Sequence, residues 1–373
     1  MYYFVTLNLQ IMQKNYLLLG TRKGLVVYKK TANGWSYQNL YFKGIPVTLT
    51  YVDDRTTTWW ACLDHGHWGT KLHRSEDLGN NWEEVATPKY PEGEEIKDGV
   101  PASTKYLWAM ASAGDDKPDQ LWLGTIPAGL FLSQDNGNNF ELNRPLWDQP
   151  SRKEQWFGGG FDHPGIDSII VDPRDSDHVF VGISCAGVFE TTDAGKSWEV
   201  RNKGLIANFL PDPNAEIGHD PHMLVACQSN PDYLWQQNHC GIFKSEDGAK
   251  TWQDVSQKEG PANFGFAMAV NDNNPDQAWV VPAISDEIRV PIEESLVVCR
   301  TDDGGKTWQE FRSGLPQQSC FDIVYRHGLD TTENHVAFGT TTGNLFLSND
   351  YGESWNCFNH YLPMIHSVTF AHS

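Results

Sequence analysis

The sequence predicts an all-β fold, a single seven-bladed β-propeller, and three observations carry that prediction. A short pattern, Ser/Thr-x-Asp-x-Gly-x-x-Trp/Phe, occurs six times, with only the fourth copy departing, at Ala249. Its aspartates (Asp77, Asp135, Asp193, Asp247, Asp303 and Asp350) stand 58, 58, 54, 56 and 47 residues apart, the period of a multi-strand repeat unit. Strand-like runs precede every copy, and no long segment of 3.6-residue period is visible, which excludes an α-helical or doubly wound fold.

In chain order, residues 1–12 are apolar but lack the basic start and the small-residue cleavage site of a signal peptide. They are also too short to span a membrane. Met12 is an alternative start, so 1–15 reads as an accessory arm and 16–373 as the propeller. Residues 16–20 and 24–28 read as the second and third strands of a blade, and a degenerate turn, Thr31-Ala-Asn33-Gly34, leads to Trp35. No first strand precedes them. Residues 366–370 supply one, and joining the C-terminal strand to the N-terminal blade closes the ring and removes exposed sheet edges.

Six further blades follow. Their first strands are expected at 47–51, 106–110, 167–171, 222–226, 264–268 and 320–324. Their second strands are expected at 59–62, 121–124, 179–182, 234–237, 278–281 and 336–339, after Pro/Asn/Asp turns such as Asp172-Pro-Arg-Asp175. Third strands such as 129–133, 187–191 and 241–245 run straight into the repeated pattern, and a fourth begins at its aromatic residue. Asp, Asn and Gly are what a tight hairpin needs: the carboxylate accepts from turn amides and Gly tolerates positive φ.

The repeated pattern is similar to the Asp-box, or BNR repeat, of sialidases, xyloglucanases and sortilin-like receptors. Along nearly its whole length the chain resembles bacterial proteins described as sialidase-like, glycosyl-hydrolase-like or WD40/YVTN/BNR-repeat propellers. Beyond the boxes, the resemblance rests on stretches such as Gly182-Ile-Ser-Cys-Ala-Gly-Val188, Asp220-Pro-His222, Trp235-Gln-Gln-Asn-His-Cys-Gly241 and Tyr325-Arg-His-Gly-Leu-Asp330. It implies that the boxes face away from any ligand site. It also implies a protein partner, since such proteins are often encoded beside a small sulfur carrier. The sialidase Arg-Ile-Pro element, arginine triad and Tyr–Glu pair have no counterpart here, and xyloglucanases resemble two tandem propellers where this chain has one.

The formal net charge of −20 excludes nucleic acid and anionic membrane as natural partners, although much of it is turn chemistry. The cysteine number, 7, is odd and no CxxC pair occurs, so reduced thiols in a cytoplasmic protein are expected.

Propeller ligands sit over the central channel, on the face opposite the boxes. Seven of the 13 histidines (65, 67, 163, 219, 222, 239 and 366) map there, while His73, His178, His327, His335, His360 and His372 read as structural or solvated. The sharpest element is His219-Asp220-Pro-His222, with His239 from the same blade. Histidine and carboxylate converging in this way suit a divalent metal or an acid–base pair. The metal set is expected to be His219, His222 and His239; the catalytic groups His222, His239, Asp220 and Glu287; and the ligand-binding groups Arg22, Arg289, His163 and Asp286. Only Arg22, Arg289 and Arg152 are candidates to reach the centre. The long loops 86–105, 143–165 and 201–221 would wall the mouth with Trp147, Trp156 and Phe157, and Gly158-Gly-Gly160 would serve as a hinge or a close backbone approach.

Three functions fit: binding of a small polar or anionic molecule with metal-assisted hydrolytic chemistry; a non-catalytic scaffold for a protein partner; or, least, a sialidase-type glycoside hydrolase.

Overall fold

Alternating apolar residues on both faces of each strand require sheets that are covered on both sides, and the chain meets this by standing seven four-stranded sheets around an axis. The computed structural model describes residues 14–372. The expected arm at 1–15 falls almost wholly outside them, and so does the choice between Met1 and Met12 as the start. Blade 1 is composite. Lys14–Thr21, Gly24–Thr31 and Gly34–Tyr41 are completed on the inner side by Ile365–His372, in antiparallel register Leu17↔Phe370 and Leu19↔Val368.

Blades 2 to 7 follow in chain order, each an antiparallel meander of four strands. Their inner strands are Val47–Asp53, Tyr106–Ser112, Gly165–Asp172, Pro221–Cys227, Gly265–Asn271 and Leu329–Thr332. Neighbouring blades enclose apolar layers in which tryptophans dominate. Trp60 lies between blades 2 and 3, Trp122 and Trp198 between 3 and 4, Trp235 and Trp308 between 5 and 6, and Trp279 and Trp355 between 6 and 7. Each fully buried tryptophan contributes roughly 4–6 kcal/mol of transfer free energy before ordering entropy is subtracted.

The six repeated turns are built alike. In the blade 4 copy the Thr191 hydroxyl donates to Asp193 Oδ1 (2.7 Å) and accepts from Gly195 N–H (2.9 Å). Asp193 also accepts from Ser197 N–H (2.9 Å) and the Ser197 hydroxyl (2.6 Å), so both its oxygens are satisfied within the turn. The glycine lies at positive φ (83° at Gly195) and abuts the preceding blade, where a Cβ at Gly195 would meet Asn143 at 2.7 Å. The fourth copy keeps the same backbone: Ala249 takes φ 59° after Gly248 at 69°.

One strand expectation is corrected. Residues 320–324 alternate like a strand, yet the first strand of blade 7 is Leu329–Thr332. The earlier run lies instead against the 340–344 turn, where Thr341 N–H donates to Ile323 O (3.0 Å) and Asn344 donates to Asp322 (2.7 Å). The consequence is positional: Arg326 and His327, in the short 3-10 turn Arg326–Gly328, move to the channel mouth. Among the described residues no helix is long and apolar enough to cross a membrane.

Candidate functional site

A cavity of about 410 Å³ opens at the channel mouth, and all seven blades contribute to it. Thr48, Tyr106, Trp108, Phe266 and His366 come from inner strands, Asp220 and His222 from the start of the blade 5 inner strand, and His239 from the end of its second strand. Asp286 and Arg289 come from the blade 6 insertion, Tyr325, Arg326 and His327 from the turn before blade 7, and Gly159, Gly160 and Phe161 from the loop before blade 4.

Asp220, His222 and His239 converge, each offering one ligand atom within 4.8 Å of the others. Asp220 Oδ2 stands 3.4 Å from His222 Nε2 and 3.6 Å from His239 Nδ1. These gaps exceed the roughly 2.9 Å of a good N–H···O bond. They match the edge of about 3.4 Å between ligands of a tetrahedral ion bound at about 2.1 Å. The far sides of two ligands are fixed. His222 Nδ1 is bonded to Gly265 O (2.7 Å), which puts the proton on Nδ1 and leaves the Nε2 lone pair free. Asp220 Oδ1 accepts from the Ser184 hydroxyl (2.7 Å) and Cys185 N–H (3.2 Å), leaving Oδ2 free. Such outer bonds orient metal ligands.

The electrostatics are consistent with this division of roles. Burial pushes the Asp220 carboxyl up, but His222, His239 and Arg326 outweigh it and hold the group well below the usual carboxylate range. Burial lowers His222, while the neighbouring Asp220 raises His239. Beneath them, burial drives Asp167 well above its ordinary value, against the pull of Arg326, and lowers His327 to about 4.

The remaining expected residues divide. Asp286 lies 4.0 Å from His239 Nε2, and Arg289 stands over Phe266 (5.4 Å) with its Nε–H on Asp286 O (2.9 Å). His219 does not join the cluster: its ring bonds to Ala215 O (2.7 Å), and Asp220 takes the third ligand position instead. Arg22 and Glu287 are exposed, and neither they nor His163 line the cavity. Arg152 is held elsewhere, stacked on Trp147 at 3.7 Å and bonded to Ile96 O (2.9 Å).

Trp147 and Trp156 are core residues, and the apolar wall is made by Tyr106, Trp108 and Phe161. The triple glycine is a close backbone approach, since a Cβ on Gly159 would stand 2.6 Å from Cys185 Sγ. Sequence reasoning missed Arg326 and His327 because the misplaced first strand of blade 7 put them in a turn on the opposite face. The Tyr325-Arg-His-Gly stretch was visible as a signal, but its position was not.

No protein-family model matches the chain. It is 25% identical over 267 residues to an oligoxyloglucan-reducing end-specific xyloglucanase of Emericella nidulans, covering 64% of this chain and 31% of that protein. The chain thus spans about a third of the length of the relatives it matches. Among solved structures it resembles an ancestral GH74 enzyme (TM-score 0.59, 16% identity, covering 83% of this chain and 38% of the other). It also resembles YCF48 from Cyanidioschyzon merolae (TM-score 0.54, 15% identity, covering 90% and 91%). These likenesses make the chain similar in fold to propellers found both in glycoside hydrolases and in YCF48.

Proposed function

We propose that the channel mouth binds a small polar or anionic molecule and acts on it by metal-assisted hydrolysis, with a divalent ion held by Asp220, His222 and His239. The observation that carries this reading is the convergence of three ligand atoms within 4.8 Å of one another, with Asp220 Oδ2 3.4 and 3.6 Å from the two imidazoles. Asp220, His222 and His239 would hold such an ion, and the chemistry it would supply is the activation of water. Asp286, beside His239, is the cavity carboxylate free to take a proton in that step. The six turns fit the Asp-box description, and seven unpaired cysteines support a reducing, cytoplasmic setting.

The similarity to xyloglucanases favours hydrolysis as the reaction class, and a glycoside substrate is the second reading. Against it stands the cavity's size, near the low end of the roughly 300–1,000 Å³ of small-molecule sites and small for a branched oligosaccharide. The test is elemental analysis of protein purified without a metal-affinity tag, alongside a His222→Ala/His239→Ala variant. Stoichiometric zinc, iron or manganese in the parent, lost in the variant, is the expected result. Metal in neither protein would overturn the metal reading and turn attention to capture of a ligand or protein partner.

A further inference from the structure

Among the described residues, Arg326 meets a carboxylate only at the outer limit of ion-pair distance. Its side chain is 13% exposed, yet among the described residues it donates no hydrogen bond. Asp167 is the nearest carboxylate, with its Oδ2 3.9 Å from Arg326 Nε, beyond bonding range, and both atoms are buried without a partner. Asp167 spends its other oxygen on the Ser168 hydroxyl (2.7 Å), and burial favours its neutral form. A largely covered guanidinium in this condition stays under-satisfied unless a further group meets it.

Its surroundings are aromatic. The guanidinium carbon lies 4.6 Å from the Trp108 ring and 5.8 Å from Phe266. Stacking on rings leaves the guanidinium's in-plane N–H groups free, and that edge matches a carboxylate or phosphate bidentately. Trp108 continues into Phe161 (5.2 Å), and Phe266 into Tyr325 (5.3 Å), so apolar rings flank the space leading from Arg326 towards the blade 5 histidines. Arg289, also over Phe266, adds a second positive charge at the rim.

We propose that Arg326 is the anchor for the ligand's anionic head, and that the ligand is a small carboxylate or phosphate monoester on a flat apolar body held between the Trp108–Phe161 and Phe266–Tyr325 rings. This deepens the reading above by naming the substrate class, but it rests on Arg326 and the ring walls and not on the metal. The two therefore fail separately.

The experiment is 19F NMR titration of the full chain with 4-fluorobenzoate, 4-fluorophenyl phosphate and the neutral isostere 4-fluorobenzamide, with metal removed and with zinc added. Both anions are expected to bind at least about ten-fold more tightly than the amide. Arg326→Met should abolish that preference and Arg326→Lys should weaken it, while Thr191→Val, in a repeated turn on the opposite face, should leave it intact. A preference for only one of the two anions identifies the headgroup and supports the anchor. Equal affinity for acid and amide, no binding of either anion at millimolar concentration, or an undiminished preference in Arg326→Lys would overturn it. If Arg326→Met does not fold, as judged by its melting transition, the Arg326→Lys and amide comparisons decide the matter alone.

Discussion

The two faces of this ring use the same residue types to opposite ends. On the turn face, Asp193 is partly exposed and has both oxygens bonded within its own turn. At and beneath the channel mouth, Asp167 is buried and His327, His366 and Arg326 are partly so, and each buries a polar atom without a partner. Natural structures satisfy most buried polar groups. Elsewhere in the ring the unpartnered atoms are scattered, several of them indole N–H groups such as those of Trp82 and Trp355 beside the repeated turns, whereas these four gather along one channel. The repeated turn, for all its regularity, is structural. The irregular mouth is where ligands are expected.

Three interventions sharpen that contrast. The largest effect is expected at the mouth, from Gly159→Ala. Its Cβ would stand 2.6 Å from Cys185 Sγ, so the loop or the thiol must shift beside Asp220. Metal or probe affinity should fall by about 100-fold, equivalent to about 2.8 kcal/mol, with little change in melting temperature, and Cys185→Ala in the same chain should restore much of it. Unchanged affinity would show that the loop does not border the working part of the cavity.

On the turn face the reverse is expected. Thr191→Val removes a hydroxyl that serves both Asp193 and the buried Gly195 N–H, and should cost about 1–2 kcal/mol in urea denaturation while leaving probe binding alone.

Smaller still is the pH effect. Bonds from Ser197, Thr191 and the turn amides hold Asp193 at about 2, below its unfolded value of about 3.9. The folded pKa is depressed, so this contribution is fully present above about pH 4 and is lost as pH falls through 2. Asp193→Asn should flatten the fall in stability across that window in fluorescence-detected melts. An unchanged acid limb would show that the turn carboxylates do not set acid stability.

Much of this was legible before any coordinates. The repeated turns, their spacing and the missing first strand of the N-terminal unit specify seven blades and the closure of the ring, because turn chemistry and strand alternation are local. Asp220, His222 and His239 were legible for a related reason: they sit at strand ends within one blade, where strand periodicity alone fixes which end of the sheet they occupy. His219 was misjudged because two residues along an irregular approach to a strand can point either way. Arg326 was hidden by an apolar run, 320–324, that alternates like a strand but finds its hydrogen bonds in the 340–344 turn. The aromatic wall was hidden because Trp108 and Phe266 lie in inner strands, and sequence does not say which of their neighbours come from blades three apart in the ring.

The composite first blade also bears on the order of events during folding. The Lys14–Thr21 strand finds its inner partner only at Ile365–His372, so this pairing spans almost the whole described chain and carries the greatest loop-closure cost. Met364 and His366, which line the cavity, arrive with that closing strand. An unclosed ring therefore lacks a finished cavity, and ligand binding reports completion of the circle. A molecule seated there adds its affinity to the seam where the circle would first reopen.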